Sequence, residues 1–279
     1  MSTTTTTIAF LGPEGTYAHL AAKQRFGENS NLIPVGTIKE VFDYVCGDRS
    51  RMGVVPIENS SGGTIYETVD RLVDGSYGLF VQEALSINVR LALVGKDKKN
   101  IKVIYSHFAP LHHCESWLHQ HFPNADLIEQ PSTANAVKKA ASQAGAAAIG
   151  NRASAKRYGL KVLEFPIEQD VKNETQFYVL GNNENALSKQ NSKTSMVFTL
   201  PDKPGSLFDF LKPFKDNKVN ITRIISRPIV GSPETYVFLA DIKGTEMQPH
   251  VKSALKKAAA ATSSMRNVGS YPVRKTYES

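Results

Sequence analysis

Cysteine is nearly absent from this chain: 279 residues carry two, Cys46 and Cys114, beside a single tryptophan. Two cysteines without a C-x-x-C spacing make neither a disulfide framework nor a thiolate metal site, so reduced thiols in a cytosol are expected. Long apolar runs are missing too; none approaches the ~18 residues that cross a bilayer. The N-terminus, Met1-Ser2 followed by Thr3 to Thr7, has neither the basic n-region nor the apolar h-region of a secretory signal and reads as a disordered tail. A soluble cytoplasmic protein without membrane contact is the expectation. Zinc-finger spacing, an RNA-recognition aromatic signature and any long basic run are also lacking, which argues against nucleic acid as a partner. Charge runs positive: 33 Lys plus Arg against 26 Asp plus Glu gives +7, spread along the chain with only short clusters such as Lys96-Asp97-Lys98-Lys99. Diffuse basicity of this kind suits small anionic partners. Hydrophobic residues at 41% and charged residues at 21% are ordinary globular usage, and the length fits about two domains of ~100–200 residues.

The order of short apolar runs and Ala-rich stretches divides the chain in two. From Ile8 to Gly181, strands are expected at Ile8 to Leu11, Gly53 to Ile57, Lys102 to Tyr105, Ala147 to Ile149 and Phe177 to Leu180, with helical segments between them. That alternation predicts an α/β domain with a parallel sheet, whose ligands sit beyond the C-terminal ends of the strands. Asn182 to Lys193 is polar and aperiodic and reads as a linker. Residues 194–279 then predict strand, helix (Gly205 to Phe214), two strands (Val219 to Ser226, Thr235 to Ile242), helix (Pro249 to Ala261) and a last strand near Asn267 to Val273. That is the βαββαβ order of a ferredoxin-like sandwich.

Candidate chemistry lies in the loops after the strands. Gly12 to Thr16 follows a strand and opens a helix, so its backbone N–H groups either meet an anion or form a tight turn; it has neither dinucleotide nor P-loop spacing. Pro56 to Gly63 places Glu58, Asn59, Ser60 and Ser61 just past a buried strand, either as ligand contacts or as a helix cap. Five of the seven histidines fall between His107 and His121, but their spacings put no two imidazoles on one helix face at i, i+4 with a completing ligand set, so no metal is expected. Cys114 beside His113 reads as a buried structural thiol, and no G-x-S-x-G elbow is present. Asn173 to Phe177 sets a hydroxyl, Thr175, among amides at a strand entrance, either a ligand donor or a strand start.

Taken in order, these segments resemble prephenate dehydratase of the type that carries a C-terminal ACT regulatory domain. Phe10 to Tyr17 (FLGPEGTY) is similar to the family's opening motif, Pro56 to Ser60 to its P-I-E-N-S, Ser106-His107…Cys114 to its S-H-P…Q-C, Ser132-Thr133-Ala134 to its S-T-A, and Thr175-Gln176-Phe177 to its T-R-F. Lys203 to Leu207 resembles the family's P-G-A/S-L turn and Ser226-Arg227-Pro228 its E-S-R-P motif. The resemblance implies a catalytic domain over residues 1–181, built as two lobes like a type II periplasmic binding protein. One lobe would take about residues 8–81 and 165–181 and the other about 82–164, with substrate between them. It implies loss of CO2 and the ring hydroxyl from prephenate to give phenylpyruvate, without metal or organic cofactor. Thr175 takes the family's catalytic position, where it would assist the departing hydroxide, and Glu58 joins it as a catalytic residue. Gly15, Thr16, Asn59, Ser60, Ser106, His107, His113, Thr133, Gln176 and Phe177 are expected to hold the substrate. Phenylalanine is the implied effector, bound where two ACT domains pair by Pro204, Gly205, Ser206, Leu207, Asn220, Ser226, Arg227 and Pro228, in a homodimer or homotetramer.

Four positions depart from the family pattern. Gln176 stands for the T-R-F arginine; if the position anchors a carboxylate, a charge-assisted hydrogen bond of ~1.5–3 kcal/mol becomes a neutral one of ~0.5–1.5. His113 stands for a glutamine and is expected to restore positive charge in the cleft at mildly acid pH. Phe108 replaces a proline, and Ile225 replaces the E-S-R-P glutamate, removing a partner for a ligand ammonium or a neighbouring domain. The alternatives are a related lyase, acting on arogenate or decarboxylating without loss of hydroxide, and a catalytically silent amino-acid sensor.

Overall fold

A computed structural model describes residues 6–167, 170, 172–185, 192–229, 231–232 and 235–279. The first lobe opens with β1 (Thr7–Leu11), α1 (Tyr17–Phe26), β2 (Asn31–Val35), α2 (Ile38–Cys46), β3 (Met52–Asn59), β4 (Gly63–Thr64), α3 (Tyr66–Asp74) and β5 (Phe80–Asn88). The second lobe follows with β6 (Ala92–Gly95), β7 (Val103–Ser106), α4 (Phe108–His113), α5 (Glu115–His121), β8 (Asp126–Glu129), α6 (Thr133–Ala141), β9 (Ala146–Gly150), α7 (Arg152–Arg157) and β10 (Lys161–Glu164). The chain returns through β11 (Glu174–Gly181). The C-terminal unit is β12 (Ser192–Thr199), α8 (Ser206–Asp216), β13 (Ile221–Pro228), β14 (Tyr236–Lys243), α9 (Pro249–Ala259) and β15 (Ser264–Glu278).

Local chemistry sets the helix starts. The side chains of Thr16, Thr37 and Ser132 accept hydrogen bonds from the backbone N–H of His19, Glu40 and Asn135, satisfying donors that α1, α2 and α6 leave orphaned. At α2 the carboxylate of Glu40 also accepts from Gly36 N–H at 2.8 Å, and Ile38, Val41, Phe42 and Val45 turn one apolar stripe inward.

The two-lobed α/β arrangement and the βαββαβ unit are present, with three corrections to the expected layout. First, β5 lies in the first-lobe sheet, so the chain crosses to the second lobe after Asn88 and not near residue 81. Second, β11 runs antiparallel to both β3 and β5, because it arrives from the other lobe without a helical crossover. Third, the two units share one sheet. The last strand is 15 residues long; its first part pairs with β12, and Val273 to Glu278 pair in parallel with β5. The resulting order is β13-β14-β12-β15-β5-β11-β3-β1-β2, while β10-β6-β9-β7-β8 forms the second-lobe sheet. Strands β2, β5, β6, β8 and β10 lie outside the segments expected from apolar runs; β8 has all four residues exposed and β2 none fully buried, so neither shows the burial pattern that such runs report. The tail expectation fails at Thr7, which is in β1 with its hydroxyl 2.6 Å from the Tyr44 hydroxyl. Of the linker, residues 186–191 lie outside the described residues, and Asn182 is fixed to the carbonyls of Val45 and Asp48.

A single apolar core spans the seam between the units, joining Val81, Ala84, Tyr178 and Leu180 with Val197, Leu239, Val268 and Tyr271. At Gly269, φ is +148° and an added Cβ would stand 2.4 Å from the carbonyl oxygen of Val81. Only glycine lets β15 pass that close to β5. Gly269→Ala is therefore expected to cost at least ~2 kcal/mol of stability, read as a lowered thermal midpoint. A wild-type midpoint would mean that the strands separate there without penalty.

Candidate active site

Strand register puts Thr175 directly opposite Asn59 at the ends of β11 and β3. Asn59 is oriented by the turn that follows it, since its Oδ1 accepts from the N–H groups of Ser61 (3.0 Å) and Gly62 (2.7 Å). Its Nδ2 then points across the strands and donates to the Thr175 hydroxyl oxygen at 2.9 Å and to Asn173 Oδ1 at 2.7 Å. With its carbonyl oxygen so engaged, Asn173 presents Nδ2 to His113 Nδ1 at 3.2 Å. The direction of this chain has two consequences. Thr175 accepts from Asn59, so its own proton remains available to a ligand. His113 accepts at Nδ1, so it is a neutral imidazole with its proton on Nε2.

Burial pushes the His113 imidazole below its ordinary value, with His112 lowering it further against an opposing effect of Asp170. The expected positive charge at mildly acid pH is thus corrected: a ring 5% exposed, aimed at an amide, resists protonation. Burial also pushes the Cys114 thiol up to about 12, which leaves it protonated and unreactive.

Several residues expected to contact a ligand also make internal hydrogen bonds. Ser60 donates to the carbonyl of Lys172 and accepts from Glu174 N–H, clamping the loop onto β11. Ser106 is fully buried and donates to the carbonyl of Ile149, tying β7 to β9. Phe177 is buried in the apolar core on the Thr175 side of the sheet. Thr16 caps α1 and donates to the carbonyl of Leu11. Gly15, at φ +89°, accepts from Ser154 across the lobes, beside an ion pair between Glu14 and Arg157. His107 and Thr133 start α4 and α6 beyond β7 and β8.

Two further residues were not among those expected to hold the substrate. Asn173 links Asn59 to His113, and an asparagine two residues before the threonine was the available signal. Asn151 caps α7 through Oδ1, while its Nδ2 is buried without a hydrogen-bond partner among the described residues. It lines a cavity of about 300 Å³ between α1 and α7 with Gly15, Thr16, His19, Lys23 and Lys156. Its unpaired N–H donor stands beside Lys156 and the Lys23–Glu28 and Glu14–Arg157 ion pairs, an arrangement that suits an acceptor group.

Glu58 and Gln176 do not join Thr175. As register partners they share the other face of the sheet, where the Arg223 guanidinium of β13 reaches both: Nη2 donates to Gln176 Oε1 at 2.6 Å and to the Glu58 carboxylate. Strand alternation turns successive side chains to opposite faces, so Glu58 and Gln176 line a separate cavity of about 370 Å³ with Ser60, Lys172 and Glu174 and do not lie beside Thr175. Ile225 and Arg227 lie on the same face of β13 as Arg223. Ile225 packs on the shared core, and Arg227 donates to the Asp70 carboxylate at 2.5 and 2.9 Å. Arg227 thus joins the units and does not face the Gly205 turn. That turn holds Gly205 at φ +88° and buries the Ser206 hydroxyl without a partner among the described residues. Leu207, Asn220, Ser226 and Pro228 are exposed.

The His113 environment predicts a pH effect on stability. Its folded pKa lies below the unfolded value of 6.5, so the unfolded chain binds the proton first and stability falls as pH drops below about 6.5. His113→Gln should flatten part of that decline in urea midpoints between pH 7 and 5, leaving the share of His19, which burial also lowers. An unchanged slope would mean that His113 titrates alike in both states.

Comparison with known proteins agrees with this architecture. The prephenate dehydratase family model matches residues 8–185 and the ACT domain model residues 194–260. The chain is 36% identical over 267 residues to a bifunctional chorismate mutase/prephenate dehydratase of Stutzerimonas stutzeri, covering 95% of this chain and 73% of that protein. It is 34% identical over 273 residues to the prephenate dehydratase of Methanocaldococcus jannaschii, covering 95% and 98%. The crystal structure of an Arthrobacter aurescens prephenate dehydratase in complex with L-Phe superposes with a TM-score of 0.86 at 30% identity, covering 95% of this chain and 90% of that one. With both domain models matched in order and relatives aligned along 95% of its length, the chain belongs to the prephenate dehydratase family, as a carbon–oxygen lyase that dehydrates prephenate and carries a C-terminal ACT domain.

Proposed function

We propose that Thr175 assists departure of the ring hydroxide, with Asn59 and Asn173 holding it in place. In the reaction the electron pair released with CO2 enters the ring, which becomes aromatic as the C4–O bond breaks; the hydroxide takes up a proton and leaves as water. Aromatisation supplies the driving force, so the protein must bind a dianion and stabilise charge on the leaving oxygen. The observation that carries the reading is the donor direction of the Asn59 to Thr175 hydrogen bond, which leaves the threonine proton free for that oxygen. An aliphatic hydroxyl is a weak acid, so Thr175 acts through a preorganised hydrogen bond. The Asn151 amide, Lys23 and Lys156 supply donors for substrate carboxylates.

Phenylalanine is the effector of this reading. Its site is the turn Pro204 to Leu207 together with Asn220 and Ser226 of a second copy, supported by the unpartnered Ser206 hydroxyl and by the L-Phe complex of the Arthrobacter aurescens relative. Leu207, Phe208 and Ile224 are 39%, 65% and 42% exposed, and β13 is an edge strand, which favours pairing of two ACT domains in a homodimer or homotetramer. No described helix is long and apolar enough to cross a membrane, and a biosynthetic lyase of this kind works in the cytoplasm. Purified protein should turn prephenate over to phenylpyruvate faster than it turns over arogenate, with phenylalanine lowering the rate. Thr175→Ala should reduce kcat by ~10²–10⁴ with little change in KM. Near-normal turnover in that variant would remove Thr175 from the mechanism.

A further inference from the structure

Arg223, on β13 of the regulatory unit, reaches both strands that carry the catalytic threonine and its asparagine partner. One hand of its guanidinium meets the buried carboxylate of its own unit and the strand of the threonine at once: Nη1 donates to Asp241 Oδ2 at 2.7 Å and to the hydroxyl of Tyr178 on β11 at 2.5 Å. Asp241 has no solvent exposure and also accepts from Ser195 and Tyr178, so the carboxylate and guanidinium are held by each other and by hydroxyls. The other hand crosses to Gln176 and Glu58. These two are register partners, each one residue from the Thr175 and Asn59 pair, and the β3 to β11 register slips between Gln176 and Phe177. A ladder interrupted by a bulge holds its end less firmly than a regular one. Arg223 therefore bridges both strands at the last pair before the catalytic hydrogen bond.

We infer that Arg223 is a positioning residue for the dehydratase: from the ACT domain, it holds the ends of β3 and β11 in the register that aims Thr175 at the substrate. β13 also carries Ser226 at its far end, so a change in that strand on binding an effector is delivered to the Glu58 and Gln176 pair by a rigid planar group. Two of the four departures from the family pattern meet at this place. Gln176 lies under Arg223, and Ile225 lies two residues along the same face. The inference rests on the proposed role of Thr175, because what it positions is that hydroxyl.

Two mild substitutions test it. Glu58→Gln keeps shape at a side chain 47% exposed and removes the charged acceptor, and Arg223→Lys keeps the charge but loses the planar fork. Each is expected to lower kcat about tenfold with KM for prephenate within about twofold, since a small misplacement acts on the transition state. The double variant should be no slower than the slower single, because both break one bridge. Amide exchange measured by mass spectrometry should rise in residues 56–60 and 174–178 and stay unchanged in the second-lobe strands. Wild-type kcat and exchange in both variants would overturn the inference, as would independent multiplicative losses in the double. A loss beyond about a thousandfold in Glu58→Gln alone, with one limb of the pH–rate profile gone, would also overturn it by making Glu58 a chemical participant. The exchange readout does not depend on turnover, so inactivity of Thr175-intact protein on prephenate would count against the proposed chemistry while the bridge is still read.

Discussion

A carboxylate without solvent exposure sits at the seam between the two units, and the arrangement around it depends on keeping that charge compensated. Asp241 is met by Arg223, Tyr178 and Ser195, while Tyr271 adds its hydroxyl to Ser195. Burial alone would lower the Arg223 guanidinium, but Tyr178, Asp241 and Glu58 outweigh it and raise it, so the cation is permanent. Burial likewise pushes the Tyr178 phenol far up, which keeps its proton on the bond to Asp241. Removing one member of such a buried pair typically costs ~3–5 kcal/mol, because the other charge is left without a partner. Two domains joined by a polar segment are therefore fixed in one relative position, and a sheet can run through both.

That sheet has two faces with separate duties. One carries Thr175 and Asn59 toward the second lobe; the other carries Gln176 and Glu58 toward the ACT domain. Contacts toward the second lobe and toward the ACT domain are thus back to back on the same two strands, a residue apart. Arg25 and Arg274, from opposite ends of the chain, meet the Glu83 carboxylate on β5 and tie the last strand to the first helix. Burial pushes that carboxyl up, but the hydrogen bonds from both arginines prevail and hold it below its usual range.

The departures from the family pattern acquire physical meaning on this sheet. Gln176 offers a neutral oxygen to Arg223, where an arginine would set two cations against each other. Ile225 contributes to the apolar core instead of burying a carboxylate on the face that packs against the first lobe. His113 is a hydrogen-bond acceptor for Asn173 and brings no charge to the cleft.

Motif order along the chain was enough to identify the α/β and βαββαβ units and the family, because strand cores and glycine turns leave local signatures such as Phe10 to Tyr17. Which face each residue serves was decided only in three dimensions. Glu58 and Asn59 are neighbours in one motif, yet strand alternation and the bulge beside Gln176 send them to different domains. Asn173, Arg223, Tyr178 and Asp241 carry no local signature of a shared network, because their partners lie 18 to 165 residues away. The crossing into the second lobe after Asn88 and the run of β15 alongside β5 depend on long-range strand pairing, which a reading of successive residues does not contain.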